Sequence, residues 1–237
     1  MGVELRRLHP WDLPPSEAMA LQERLAHQVL LTPLDTPPNT VCGLDLSAED
    51  AQGFARGAAV VLSFPNLEIV EVRTALRKVT FPYIPGLLAF REAPILAAAL
   101  ERLTTTPDCL IVDGQGIAHP RRFGIACHIG LLTDLPTIGC AKSILRGRHK
   151  PLPQEAGAWE YLVDKGEVAG AAVRTRPGVA PVYVSPGHRV DLVSAIRVAL
   201  ACVKGHRLPE PTRLAHLAAG GRLAEVAPTR PQQGRLL

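Results

Sequence analysis

Three β-rich runs follow one another in the first third of the chain, and their spacing limits the possible folds more than any other feature. They read TVCGLDLS (40–47), GAAVVLSF (57–64) and LEIVEVRTAL (67–76). The turns between them are short, whereas a parallel crossover needs a dozen or more residues. We therefore expect an antiparallel meander of three strands.

The chain then alternates between helix and strand patterns. GLLAFREAPILAAALERL (86–103) has apolar residues at three- and four-residue spacings and predicts the strongest helix. DCLIVDG (108–114) is a continuous apolar strand, typical of burial on both faces. Further on we expect a helix at 124–135, a strand at 136–143, a hairpin turning at Lys165-Gly166, a strand, turn and helix at 180–203, and a last helix at 209–226. This order predicts an α/β fold, with a mixed sheet flanked by helices on both faces.

The two ends of the chain have different patterns. Residues 16–30 have helical periodicity, with Ser16 as the expected N-cap. No repeat or long linker divides the chain, so we expect a single domain over residues 1–227. Residues 228–237 are polar and contain proline, which predicts a disordered tail.

Composition excludes some classes of protein. Lys plus Arg exceed Asp plus Glu by 26 to 22, which permits a polyanionic partner without requiring one. No apolar run is long enough to span a bilayer, so we expect no membrane partner and a cytoplasmic protein. The five cysteines never form C-x-x-C, which argues against zinc. We expect a monomer.

Three acidic residues, Asp45, Glu92 and Asp113, lie beside apolar runs. Carboxylates are rarely buried unless they are paired or bound to a metal ion, and three together would suit Mg²⁺, with Mn²⁺ as a substitute. Each also has a structural explanation. Asp45 can accept hydrogen bonds from neighbouring amides, Glu92 can pair with Arg91 or Arg102, and Asp113 precedes a glycine, as turn residues do. The pattern alone leaves both explanations open.

Two glycines bare the backbone directly after Asp113. Gly114 and Gly116 permit a sharp turn or the close approach of a ligand to the main chain. Free N–H groups in such a loop can hold an anion or the edge of a base. The loop is not a dinucleotide-binding G-x-G-x-x-G, because His119 stands at the last position, and no P-loop lysine follows.

Several long blocks, in this order, are similar to the endonuclease V family, which cuts nucleic acid beside inosine. They are VCGLDLS, FPYIPGLLAFRE, IVDGQGIAHPRRFGIACHIGLLTDLPTIGCAKS, PVYVSPGHRVDL and RLPEPTRLAH, and they cover most of the chain. The resemblance implies an RNase H-like fold and a Mg²⁺ site formed by Asp45, Glu92 and Asp113. It implies a DNA repair endonuclease that recognises deoxyinosine and hydrolyses the second phosphodiester bond 3′ to the lesion. A Mg²⁺-activated water would attack, leaving 3′-hydroxyl and 5′-phosphate ends.

The resemblance also implies roles for single residues. His216 matches a further site histidine of the family, with a role through water or in proton transfer. His119 and Lys142 match active-site residues near the scissile phosphate, and Arg121 is a generic phosphate contact. Without the family, His216 would be an ordinary helix residue and Lys142 a solvated strand end.

Two sets of residues would handle the base itself. A wedge that opens the base stack maps onto Pro82, Tyr83, Ile84 and Pro85, held stiff by its prolines. On spacing alone, this segment would be a turn with Tyr83 lying on the core. The flipped base would enter a pocket. Its expected lining is Gly86, Leu88, Gly114, Gly116, Gly139 and Leu145.

Other functions stay open. An inosine-specific endoribonuclease is one alternative, because no feature of the sequence senses a 2′-hydroxyl group. A non-cutting inosine-binding module is another, although a pure binder has little use for Asp45, Glu92 and Asp113 near phosphates. A metabolic enzyme of mixed α/β fold rests on composition only.

Overall fold

A computed structural model describes residues 2–228 of the chain, so the tail expected at 228–237 lies, from residue 229 onward, outside the described residues. Eight strands form a single mixed sheet in the order β3-β2-β1-β4-β5-β8-β7-β6. They are β1 (Thr40–Leu46), β2 (Phe54–Ser63), β3 (Ile69–Lys78), β4 (Cys109–Val112), β5 (Thr137–Ala141), β6 (Trp159–Asp164), β7 (Glu167–Val173) and β8 (Val182–His188). The helices are α1 (Pro15–Ala26), α2 (Leu88–Leu100), α3 (Ile125–Thr133), α4 (Leu192–Ala201) and α5 (Glu210–Ala219).

The strand pairings confirm the expected meander and hairpin. β1, β2 and β3 pair antiparallel in sequence, and β6 and β7 form a hairpin that turns at Lys165-Gly166. β1, β4 and β5 are parallel neighbours, and β8 runs antiparallel to β5. The sheet is therefore mixed, with its parallel strands at the centre.

Helices cover both faces of the sheet, as expected. In β1, Val41 packs on one face in a cluster with α4 and α5 residues such as Ile196 and Leu214. Its neighbour Cys42 packs on the other face with α2 residues such as Leu96. The alternation follows the two-residue period of a strand. All four residues of β4 are buried because both faces above them are covered.

The expected N-cap was wrong. α1 begins at Pro15, Pro14 occupies the cap position, and no side chain in the described part of the chain caps the helix. Proline suits the first helical position, since its fixed φ is already helical and its missing N–H would have no partner there. Ser16 therefore lies inside the helix.

All five cysteines are free and buried. Among residues 2–228, no helix has the length and apolar character needed to cross a membrane.

Candidate active site

The register of the central strands brings two of the acidic residues to one edge of the sheet. β1 and β4 are parallel, and Leu44 lies beside Val112. Asp45 and Asp113 are the next residues along these strands. The N–H of Asp113 also donates to the Leu44 carbonyl at 3.0 Å, which continues the pairing into the loop.

Glu92 completes the acidic cluster from α2. Burial raises the pKa of Glu92 to about 7, and repulsion from Asp45 and Asp113 adds to the rise. Burial, followed by the charge of Asp113, likewise raises the pKa of Asp45 to about 6. These shifts show that the three carboxylates act on one another.

The simple ion pairs considered for Glu92 do not form. Arg91 pairs with Glu49, and Arg102 pairs with Glu225. Glu92 therefore remains a half-buried carboxylate without a cation bonded to it in the described part of the chain.

Two cationic or basic side chains border the cluster. Lys142 follows β5 and forms an ion pair with Asp113. His216, on α5, places Nδ1 2.8 Å from Oδ2 of Asp45, whose other oxygen accepts from the Leu46 N–H. Because a carboxylate only accepts, the Nδ1 of His216 carries the proton in this contact. Both side chains are about half exposed, so both are open to solvent and to a ligand.

The acidic cluster fits a hard divalent cation by its chemistry. Its three oxygen donors are of the type that Mg²⁺ and Mn²⁺ prefer. Burial raises the pKa of Asp45 and of Glu92 first, repulsion between the carboxylates adds to the rise, and Lys142 offsets it only in part. Across residues 2–228, no three His, Cys, Asp or Glu side chains already surround a single point closely enough to hold an ion.

A cavity of about 100 Å³, called the first cavity below, opens beside the acidic cluster. It is lined by Gln22, Tyr83, Ile84, Pro85, Gly86, Leu88, Ala89, Gln115, His119, Gly124, Ile125 and Leu145. Gln115 is two residues from Asp113, and Leu88 is about one helical turn from Glu92. The same loop and the same helix therefore contribute to both the cavity and the cluster.

The expected wedge borders this cavity. Tyr83, Ile84 and Pro85 line it, and Tyr83 is 70% exposed. Tyr83 thus does not lie on the core, which was the alternative for this segment. Phe81 does, since it is buried and stacks near Phe90 at 5.6 Å between ring centroids.

His119 lines the first cavity but is bonded at both ring nitrogens. Its Nε2 lies 3.0 Å from the Gly86 carbonyl, and its Nδ1 accepts from the Arg121 N–H at 3.2 Å. This pattern requires the neutral ring with the proton on Nε2. Burial and then the charge of Arg121 lower the pKa of His119 to about 4, in agreement with that tautomer.

Arg121 likewise makes its hydrogen bonds inside the protein. Its guanidinium donates to Oε1 of Gln22 at 2.7 Å and to the Gly86 carbonyl at 2.7 Å. Gln22 in turn donates to the Phe123 carbonyl at 3.2 Å. This network ties α1, the wedge segment and the loop after β4 together.

Half of the expected pocket lining lies elsewhere. Gly86, Leu88 and Leu145 line the first cavity, whereas Gly114, Gly116 and Gly139 do not. A Cβ on Gly116 would lie 1.9 Å from the Pro186 carbonyl oxygen, and one on Gly139 would lie 2.4 Å from the Gly116 nitrogen. A Cβ on Gly114 would meet Ile125 at 2.5 Å. These glycines permit close packing behind the loop, because no side chain fits there.

The sequence did not indicate several lining residues, namely Gln22, Ala89, Gln115, Gly124 and Ile125. Gln115 stands between Gly114 and Gly116, so its position in the glycine-containing loop already indicated a place near the site. Gln22 carried none, because its partner Arg121 is 99 residues away in the sequence.

Comparisons with known proteins agree with this architecture. The family model described as Endonuclease V matches residues 23–217. Endonuclease V of Roseiflexus castenholzii is 53% identical over 216 residues, which are 91% of this chain and 96% of that protein. The crystal structure of the Bacillus subtilis Endonuclease V superimposes with a TM-score of 0.87 at 31% identity, over 92% of this chain and 96% of that one.

A second similar structure contains a nucleic acid. Endonuclease V of Ciona intestinalis, in complex with a 24mer DNA containing an inosine followed by a ribo-adenosine, has a TM-score of 0.77 at 28% identity. The match covers 87% of this chain and 96% of that one. The architecture shared with the solved structures is RNase H-like, so the expected fold class is confirmed.

Proposed function

Since the chain belongs to the endonuclease V family of nucleases, whose members are in general metal-dependent, we propose that it is a DNA repair endonuclease directed to deoxyinosine. It hydrolyses the second phosphodiester bond 3′ to the lesion and leaves 3′-hydroxyl and 5′-phosphate ends. Its cofactor is Mg²⁺, with Mn²⁺ as a substitute.

One observation carries this proposal: the first cavity and the acidic cluster share their supporting elements. The loop after β4 contributes Asp113 to the cluster and Gln115 to the cavity, and α2 contributes Glu92 and Leu88 in the same way. A base drawn into the cavity would therefore place its own strand beside the carboxylates. Recognition and cleavage then occur on one nucleic-acid strand.

The cavity suits a flipped base. An enzyme that identifies a base must take it out of the stack, which costs a few kcal/mol of unstacking. Tyr83, exposed between two prolines, is placed to fill the gap in the stack. Hypoxanthine lacks the 2-amino group of guanine and has an oxygen where adenine has its amine, so a closely fitting cavity excludes guanine by size and hydrogen-bonding groups at the base edge exclude adenine.

The acidic residues and their neighbours divide the remaining tasks. Asp45, Glu92 and Asp113 would hold Mg²⁺, which when bound neutralises charge on the phosphate and makes water a better nucleophile. Lys142 holds the Asp113 carboxylate and presents a half-exposed positive charge towards solvent, where a phosphate can approach. His216 holds Asp45 through Nδ1, and its second ring nitrogen, which has no hydrogen-bond partner among residues 2–228, is available for proton transfer.

Cleavage of RNA is the second candidate, and one observation favours it. The DNA bound to the Ciona intestinalis protein carries a ribo-adenosine directly after the inosine. The non-cutting module has less support, because three mutually repelling carboxylates do not help a protein that only binds a polyanion.

Cleavage of end-labelled strands tests these proposals. Duplex DNA with one deoxyinosine is incubated in Mg²⁺ beside the matched adenosine duplex and a single-inosine RNA. We expect one nick in the inosine DNA, one nucleotide beyond the lesion on its 3′ side, and none in the adenosine duplex. Cutting confined to RNA would replace the DNA proposal with the endoribonuclease, and binding of folded protein without any cutting would favour the module.

A further inference from the structure

A second cavity, of about 370 Å³, adjoins the first cavity and has a different character. It is called the basic cavity below and is lined by Ile144, Leu145, Arg146, Gly147, Arg148, Val163, Asp164 and Lys165. Leu145 lines both cavities, so they are direct neighbours. Apart from Leu145, the residues of this surface have no part in the proposed cleavage.

The segment that carries the two arginines is fixed to the edge strand β6. Arg148 and Val163 exchange both backbone hydrogen bonds at 2.9 Å. Gly147 has a φ of +94°, and a Cβ on it would lie 3.0 Å from both the Leu162 side chain and the Val163 carbonyl. Arg146 and Arg148 therefore extend from a backbone that is held in place, rather than from a free loop.

The basic cavity has more positive charge than its own carboxylates neutralise. Asp164 accepts from Arg122 at 3.0 Å, and Arg146 reaches only to 3.8 Å from its second oxygen. Arg122 also pairs with Glu167. Together with Arg148 and Lys165, the arginines Arg122 and Arg146 make four positive charges, against the two negative charges of Asp164 and Glu167. Within residues 2–228, the side chains of Arg148 and Lys165 have no ion-pair or hydrogen-bond partner.

Arg146 also lacks a hydrogen-bond acceptor for one of its N–H groups in the described part of the chain. Its Nε–H is buried, and no described residue accepts a hydrogen bond from it. Buried donors in native proteins nearly always have an acceptor, so this guanidinium has hydrogen-bonding capacity that the described residues leave unused. An arginine with surplus N–H groups is the side chain best suited to phosphate oxygens.

We propose that the basic cavity binds backbone phosphates of the nucleic-acid strand whose flipped base occupies the first cavity, through Arg146, Arg148 and Lys165. The inference rests on the proposed function, because the strand is placed by the base beside Leu145. Phosphate contacts of this kind set the register of a strand but do not read its sequence. The basic cavity thus holds the strand while the first cavity selects the base.

The salt dependence of binding tests this surface without any cleavage. The affinity of wild-type protein, Arg148→Gln and Lys165→Gln for inosine duplex and for undamaged duplex is measured between 50 and 200 mM salt, without divalent ions. Each lost phosphate contact should lower the slope of log affinity against log salt by about one. The loss of a phosphate contact should also weaken binding to the inosine duplex and to the undamaged duplex about equally. Arg197→Gln is the matched control, since Arg197 is an exposed arginine on α4 that contacts the Leu34 carbonyl.

Equal slopes for wild type, Arg148→Gln and Lys165→Gln would overturn the inference, as would a slope change of the same size in Arg197→Gln. Thermal melting of each variant shows that the binding data come from folded protein. The proposed function fails separately, if wild-type protein in Mg²⁺ leaves inosine DNA intact. The salt slopes then still report whether the basic cavity contacts phosphates.

Discussion

Glu92 is a half-buried carboxylate whose charged form is costly in the folded protein. Its pKa, ordinarily 4.5, is raised to about 7 by burial and by the charges of Asp45 and Asp113. The folded state therefore binds the proton more tightly than the unfolded chain does. The contribution of Glu92 to folding stability is therefore most favourable below about pH 4.5, and it declines as the pH rises through 7.

Replacing Glu92 by Gln should therefore stabilise the protein and inactivate it. At pH 8 without divalent ions, the free energy of unfolding should rise by up to about 3 kcal/mol, the equivalent of the shifted pKa. The gain should vanish near pH 4, and nicking of inosine DNA should be lost. Denaturant unfolding at both pH values measures the first effect. Glu101→Gln, an exposed change at the end of the same helix, is the control. A Glu92→Gln protein that is less stable than wild type at pH 8 would contradict the raised pKa of Glu92.

Local sequence patterns indicated some of the site residues and not others. Asp45, Glu92 and Asp113 were visible because charged groups beside apolar runs are unusual. The roles of Gly116 and Gln22 were not, because each depends on a partner far along the chain, Pro186 in one case and Arg121 in the other. Local patterns contain no information about such contacts.

At the scale of elements, the wedge presents an exposed aromatic ring, Tyr83, and is preceded by a buried one, Phe81. Tyr83→Ala should change the free energy of unfolding by less than about 0.5 kcal/mol, since the ring is 70% exposed. It should weaken binding of inosine DNA roughly tenfold, the value of one base–aromatic stacking contact. Unchanged inosine affinity in folded Tyr83→Ala protein would remove the wedge from the mechanism.

Phe81→Ala should cost about 3–5 kcal/mol of stability, because this ring is 6% exposed and packs near Phe90.

The strand β3 is tied to the loop before β4 by another buried carboxylate, Glu71. Burial alone would raise the pKa of Glu71, but hydrogen bonds from Thr104 and Thr105 outweigh it, and the pKa is lowered from 4.5. The stabilising contribution is therefore complete above about pH 4.5. It is lost as the pH falls through the lower pKa of the folded state.

Glu71→Gln should consequently destabilise the protein by about 2 kcal/mol or more at pH 7, since it weakens charge-assisted hydrogen bonds to a buried group. The difference from wild type should shrink as the pH drops below 4.5. Denaturant midpoints across this range give the profile, with the exposed Glu68→Gln as control. A difference that stays constant with pH would show that the charge of Glu71 is unimportant.

Elements with a local signal were predicted well. The meander and the hairpin at Lys165-Gly166 follow from two-residue alternation and turn residues, and the structure confirms them. The start of α1 was misplaced at Ser16, because a polar cap and a proline at the first helical position compete in the same few residues.

At the scale of the whole molecule, the sheet order brings distant segments to one place. Parallel pairing of β1 with β4 puts Asp45 beside Asp113, and β5 adds Lys142 at the same edge. α5 returns from the end of the chain to contribute His216. These pairings join residues far apart in sequence, so the family resemblance predicted the assembled site where periodicity alone could not. The single domain and the monomer stay predictions.

The central claim is that the acidic cluster cuts the strand whose inosine occupies the first cavity. The most direct measurement is single-turnover nicking of an end-labelled deoxyinosine duplex in Mg²⁺ by wild-type protein and Asp113→Ala, with binding and melting recorded in parallel. We predict a wild-type product that ends one nucleotide beyond the inosine. Nicking by Asp113→Ala should be slower by about 10³-fold, the equivalent of losing several kcal/mol of charge stabilisation, while the variant still folds and binds. Wild-type nicking by folded Asp113→Ala would contradict the account.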